Sequence, residues 1–128
     1  MKTIAIRLTP GQDLKEELGR IASVHQIRAG IVLTCVGSLT KATLRLADET
    51  IQSFDGPFEI VSVVGTLCQD GLHLHASLAD SKGIVIGGHL KKGCLVHTTA
   101  EIVIAVIERV VFKRLFDNRT GFKELVSN

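Results

Sequence analysis

Apolar and polar residues alternate with a period of two along much of this 128-residue chain, the pattern of strands with one buried face. Thr3–Leu8 places Ile4, Ile6 and Leu8 on one side. Thr9-Pro10-Gly11-Gln12 ends that strand, and Asp13 or Thr9 can cap a helix, because Leu14, Leu18, Ile21, Ala22 and His25 recur at helical spacing. Lys15, Glu16, Glu17 and Arg20 take the other side, so this amphipathic helix covers a sheet, and His25 is read as a helix-terminus residue. Ala29–Val36 is apolar nearly throughout and predicts a central strand buried on both faces. Gly37-Ser38 then predicts a turn into a strand over Lys41–Ala47, with Asp48–Gly56 a loop or short edge strand. Phe58–Leu67 reads as another apolar strand, and Val96–Phe112 as one long strand, apolar on both faces, in the sheet interior or a subunit interface. Asp117–Gly121 is a turn by composition.

The sharpest alternation lies in Leu72-His73-Leu74-His75-Ala76-Ser77-Leu78-Ala79, which puts His73 and His75 on the same strand face. Two imidazoles at that spacing stand roughly 6 to 7 Å apart along the chain, close enough to reach one ion. If Ile84-Val85-Ile86 pairs back through a turn at Asp80-Ser81-Lys82-Gly83, His89 joins them. Three histidines without a fourth protein ligand suit zinc with a position open for water or substrate. The same spacing also fits polar-face histidines of a half-exposed hairpin.

Three charged residues in apolar strands are candidates to act beside such a site. Arg45 can anchor an anionic substrate, or it can be a rim arginine bonding to the next subunit. Glu59, the sole charge in its strand, can orient a ligand histidine, serve as a base, or pair with Arg45. Glu101, which with His97 frames the start of the long strand, is the weaker candidate to support a ligand.

Composition narrows the field. The chain has the size of one domain, 1–128, and 45% hydrophobic residues with a mean hydropathy of +0.31 imply apolar surface hidden against a partner, most simply another copy. A net charge of +2 without a basic run lacks the electrostatic footprint of a nucleic-acid binder. No apolar run reaches the eighteen or so residues of a membrane span, and the amino terminus has no signal-peptide core. Cys35, Cys68 and Cys94, odd in number and unrelated in spacing, imply a reducing cytoplasm and small core residues.

Taken together, Gly65-Thr66, His73-Leu74-His75, Asp80, Gly83, Gly87-Gly88-His89-Leu90 and Thr98-Thr99-Ala100-Glu101 resemble the PPC (plant and prokaryote conserved, DUF296) domain. The likeness extends to Pro10-Gly11, Val36-Gly37-Ser38-Leu39 and Leu44-Arg45, and ends with Thr120-Gly121-Phe122 and Glu124-Leu125. It implies an α+β fold, a curved, mostly antiparallel mixed β-sheet packed with one main α-helix. It also implies a homotrimer, and a fold similar to acetolactate decarboxylase, whose zinc is held by three histidines. On the matching positions the ligands are His73, His75 and His89. Two functions follow: a binding or regulatory protein with a metal site and a small-molecule ligand, or a metal-dependent lyase or hydrolase acting on a small polar substrate. DNA binding ranks last, since plant relatives carry an AT-hook that has no counterpart here.

Overall fold

The computed structural model describes residues 1–128 as β1 (Lys2–Leu8), α1 (Leu14–Val24), β2 (Gly30–Arg45), β3 (Ile51–Cys68), β4 (Gly71–Ala79), β5 (Val85–Leu90), β6 (Leu95–Val106), β7 (Phe112–Asp117) and β8 (Phe122–Ser127). The first six strands form one sheet in the order β1-β6-β2-β3-β4-β5, while β7 and β8 pair only with each other. Every pairing is antiparallel. The class is α+β: a curved sheet and a single helix.

Two strands set the curvature. β2 and β3 run for 16 and 18 residues, about three times the usual strand, and each bends through bulges, at Leu39/Lys41 and Ile60/Ser62, where an extra residue adds twist. The sheet curls until β5 meets β2 again, at Leu44 and Arg45. Strands remote in sheet order are thereby brought side by side.

One face of the sheet carries the core. Leu39, Leu44, Leu67, Leu74, Leu78 and Leu90 are buried there, and α1 lays Leu14, Leu18, Ile21 and Ala22 over them. Asp13 caps the helix as its residue type predicts: one carboxylate oxygen accepts from the Glu16 N–H at 3.0 Å, the other from the Gly93 N–H at 2.7 Å. At the other end His25 is the exposed C-cap. The Gln69 amide ties that end to the β3–β4 turn by donating to the Ala22 and Ile27 carbonyls at 3.0 and 2.8 Å. All three cysteines are free and buried. Burial pushes the Cys35 thiol up to about 12, which makes it an inert core residue.

The opposite face has no helix, and several expectations change because of it. β2 is central, between β6 and β3, but it is not buried on both sides: Leu33 and Val36 are 49% and 59% exposed. Gly37-Ser38 makes no turn, since β2 passes straight through, Gly37 lying so close to β6 that a Cβ would collide with the Thr99 carbonyl. The strand expected to reach Ala47 stops at Arg45, Leu46–Thr50 forms the β2–β3 turn with the Glu49 N–H donating to the Leu46 carbonyl at 2.9 Å, and β3 starts at Ile51. The long strand stops at Val106, where Ile107 donates its N–H to Ala29 and the chain turns away from the sheet through Arg109, at φ 62°. Residues 112–127 then form a hairpin around the turn at Asp117–Gly121. No helix is long and apolar enough to cross a membrane.

Candidate metal centre

Strand alternation places the histidines. In β4, Leu74, Ala76 and Leu78 are buried in the core, and His73 and His75 stand on the face without a helix. Asp80 fixes the following turn by accepting the N–H groups of Lys82 and Ile84, each at 2.9 Å, with Gly83 in the left-handed region at φ 80°. The resulting β4–β5 register sets His89 opposite His75, and on its other side β2 sets Arg45 opposite His89. Gly65, at φ 146°, lets β3 press against the His73 backbone, where a Cβ would collide with the His73 carbonyl.

The three rings converge. Their centroids are 5.0, 5.1 and 5.5 Å apart, and one nitrogen from each lies within 4.8 Å of the others. Zinc–nitrogen bonds of about 2.0–2.1 Å at tetrahedral angles require nitrogens about 3.3 Å apart, so side-chain rotation of about an ångström closes the set. The residues present fit a divalent metal with three imidazole ligands and a position left open.

The electrostatics keep two of the rings neutral. Burial, then the charge of Arg114, holds His73 below its ordinary value; burial, then the charge of Arg45, lowers His89 to about 4. Both are uncharged at pH 7, the form in which imidazole binds metal. Arg45 Nη2 lies 3.5 Å from His89 Nδ1, too long to fix the tautomer of the ring. The Arg45 guanidinium stands over the Phe122 ring, 5.2 Å from its centroid.

A cavity of about 440 Å³ opens on the histidines, lined also by Arg45, Arg114, Phe122, Lys123 and Glu124. A larger one of about 650 Å³, beside the Ile107–Val111 turn, has no histidine or cysteine in its lining. Of the residues singled out in the sequence, His73, His75, His89 and Arg45 come together. Glu59 does not: it is exposed, opposite Ala79 and four residues along β4 from His75, about 13 Å at the rise of a strand. It does not pair with Arg45 either, for its partner on β2 is Ser38. Glu101 is exposed on β6, accepts from the Thr99 hydroxyl at 3.3 Å, and has β2 and β3 between it and the histidine strand. An acidic residue in an apolar strand marks a buried charge only when both faces are covered, and here one is open.

Arg114, by contrast, gave no signal in the sequence, and Glu124 gave one only as part of the family likeness, with no role at the centre. They reach the centre because the β7–β8 hairpin folds back over the sheet. Arg114 donates through Nη2 to Thr66 Oγ1 at 2.6 Å, and its backbone N–H donates to Asp70 Oδ2 at 3.0 Å. Thr66 is the β3 partner of His73.

A family model for the Plants and Prokaryotes Conserved (PCC) domain matches residues 1–108, which include all three histidines. The chain belongs to this family. The PCC match ends before β7, so Arg114 and the rest of the hairpin lie outside it. In sequence the chain is 50% identical over 126 residues to the bifunctional protein GlmU of Synechococcus sp. (strain JA-2-3B'a(2-13)), covering 98% of this chain and 20% of that protein. It therefore spans about a fifth of the length of the curated relatives it matches. Among solved structures, a hypothetical protein from Salmonella enterica shares 38% identity and a TM-score of 0.96, covering 99% of this chain and 93% of that one. The metal-containing protein AF0104 of Archaeoglobus fulgidus has the same fold at 24% identity and a TM-score of 0.82, over 98% and 94% of the two chains. Alpha-acetolactate decarboxylase from Bacillus subtilis shares the fold more distantly, at 15% identity and a TM-score of 0.52 over 80% of this chain and 50% of that one.

Proposed function

We propose that this PCC-domain protein is a cytoplasmic homotrimer that holds zinc at His73, His75 and His89 and serves a binding or regulatory role toward a small-molecule ligand. The observation that carries the reading is the convergence of three imidazoles on two paired strands, their nitrogens within 4.8 Å of one another beside an open cavity. A zinc that only stabilises a fold is closed by four protein ligands, whereas three leave a position for water or a ligand. The Archaeoglobus protein of the same fold is described as metal-containing, which supports a metal here. Chains in which the similar sequence is about a fifth of a longer protein support an accessory module.

The trimer draws support from the open face of the sheet. Val36, Val61 and Val64 are each more than half exposed there. The accessible surface, 7326 Å², exceeds the roughly 6,600 Å² expected of a compact monomer of this mass. Light scattering is expected to give three times the 13.8 kDa of one chain; a monomer mass at micromolar concentration contradicts assembly. For the metal, zinc added to chelator-stripped protein at a hundred times its dissociation constant stabilises the fold by about 2.7 kcal/mol. His89→Ala removes the effect. Absence of any thermal shift in the unaltered protein sinks the zinc reading.

A second reading, a metal-dependent lyase or hydrolase on a small polar substrate, is favoured by the cavity of about 440 Å³ at the open side of the triad. Bound zinc there supplies a Lewis acid or lowers the pKa of its water. The chain's own residues do the rest: Arg45 binds and orients an anionic group, and Phe122 and Leu72 form the apolar walls of the cavity. Glu124 lines the cavity where Glu59 and Glu101 do not and, with Asp70 engaged by the Arg114 backbone N–H, is the carboxylate left to move a proton.

A further inference from the structure

We propose that the C-terminal hairpin completes this centre as an oxyanion site, in which Arg114 of β7 and Arg45 of β2 clamp a small carboxylate or phosphate compound beside the metal. The inference rests on the metal reading above and adds the class of ligand and the residues that select it.

Placement comes first. Arg45 stands next to His89, with 3.5 Å between Nη2 and Nδ1, and Arg114 is bonded at 2.6 Å to Thr66, the residue paired with His73. Each arginine thus flanks a different histidine, and both line the same cavity. Its ionisable groups besides the histidines are Arg45, Arg114 and Lys123 against Asp70 and Glu124. Cations outnumber acids before any metal is counted, and a divalent ion adds two more positive charges.

The second observation concerns partners. The chain's ion pairs involve the amino terminus, Arg20, Lys92 and Arg119, so neither Arg45 nor Arg114 meets a carboxylate. Asp70 accepts only the backbone N–H of Arg114. Arg114 Nε is buried with no acceptor, a condition buried donors rarely keep and one that a ligand oxygen relieves. Arg45 is held over the Phe122 ring, which orients the guanidinium without using its N–H donors. A planar fork with free donors is the group that grips carboxylate or phosphate through two oxygens.

Size and lining limit the ligand. A cavity of about 440 Å³ with Leu72 and Phe122 as its apolar walls is near the lower end of small-molecule sites and admits a molecule of a few carbons.

The test uses the full-length protein loaded with cobalt(II), whose visible absorption reports the ligands of the metal. Oxalate and inorganic phosphate are titrated separately, and the tighter of the two identifies the class. The expected result is a saturable spectral change whose dissociation constant rises at least tenfold in Arg114→Gln and in Arg45→Gln. Arg114→Lys weakens binding nearly as much, since an ammonium cannot form the fork. Cobalt stoichiometry and the circular dichroism spectrum stay as in the unaltered protein. Normal cobalt loading with anion affinity unchanged in both glutamine variants, or with neither anion bound, overturns the clamp alone. Failure to bind cobalt overturns the metal reading, and the clamp with it. Should Arg114→Gln disturb the hairpin, Arg45→Gln, on the sheet, decides the question.

Discussion

The histidines and Arg114 meet at one centre but are held in place by unequal forces. His73, His75 and His89 stand on strands whose other face is the core; Leu74 and Leu90, their neighbours in sequence, are at most 2% exposed. Arg114 and Phe122 stand on a ribbon that pairs only with itself, and Leu115, Phe116, Leu125 and Val126 on that ribbon are left exposed. An isolated hairpin is marginal in water. This one is tethered through the Phe112 N–H to Arg28 at 3.0 Å, and through Arg114 to Asp70 and Thr66. The three histidines are therefore held as firmly as the fold itself, whereas the residues that would recognise a ligand sit on the part most easily moved. A neighbouring subunit covering the hairpin's apolar residues would stiffen it and would so tie assembly to recognition.

The largest effect is expected from the core side. Leu74→Ala, between two of the histidines, is expected to cost about 2–5 kcal/mol in denaturant unfolding and to weaken metal binding with it; a small change would mean the histidine strand is not anchored by the core. The hairpin calls for a local probe. Amide exchange in β7 and β8 should run at least tenfold faster than in β3 and β4, because few contacts resist its opening; equal protection would erase the distinction between the two regions.

A smaller effect follows from the lowered histidines. Above pH 6.5, His89 is neutral in the folded and the unfolded chain alike, so it takes nothing from stability. Between 6.5 and about 4 the unfolded chain gains a proton that folded His89 refuses, and the metal-free protein loses stability as pH falls through that window. Thermal melts of metal-free protein should decline there, and less steeply for His89→Gln. The same slope in both proteins would mean His89 is not desolvated.

Much of this was legible in the sequence, and the reasons differ by element. Helix spacing and the Asp13 cap gave α1, because both signals are local. Period-two alternation gave the face of His73 and His75, and Asp80 with Gly83 gave the turn that returns His89, since a short hairpin leaves few registers. The open second face of β2 is not legible in the sequence, because a run of apolar residues cannot say whether a neighbour covers that face. Gly37 has the look of a turn residue in the sequence, but its missing side chain instead allows close packing of two strands. Nothing local could place Arg114 at the centre, for its position depends on a ribbon folding back across the sheet. Glu59 and Glu101 failed for the complementary reason: a charge in an apolar strand looks buried until the open face is known.

Whether the triad carries a metal decides the role of His73, His75 and His89. Elemental analysis of the native protein, purified without a polyhistidine tag, is set beside the same analysis of His75→Ala. Near one metal per chain, zinc foremost, lost in the variant, is the predicted result. No metal in either protein, or the same content in both, contradicts it.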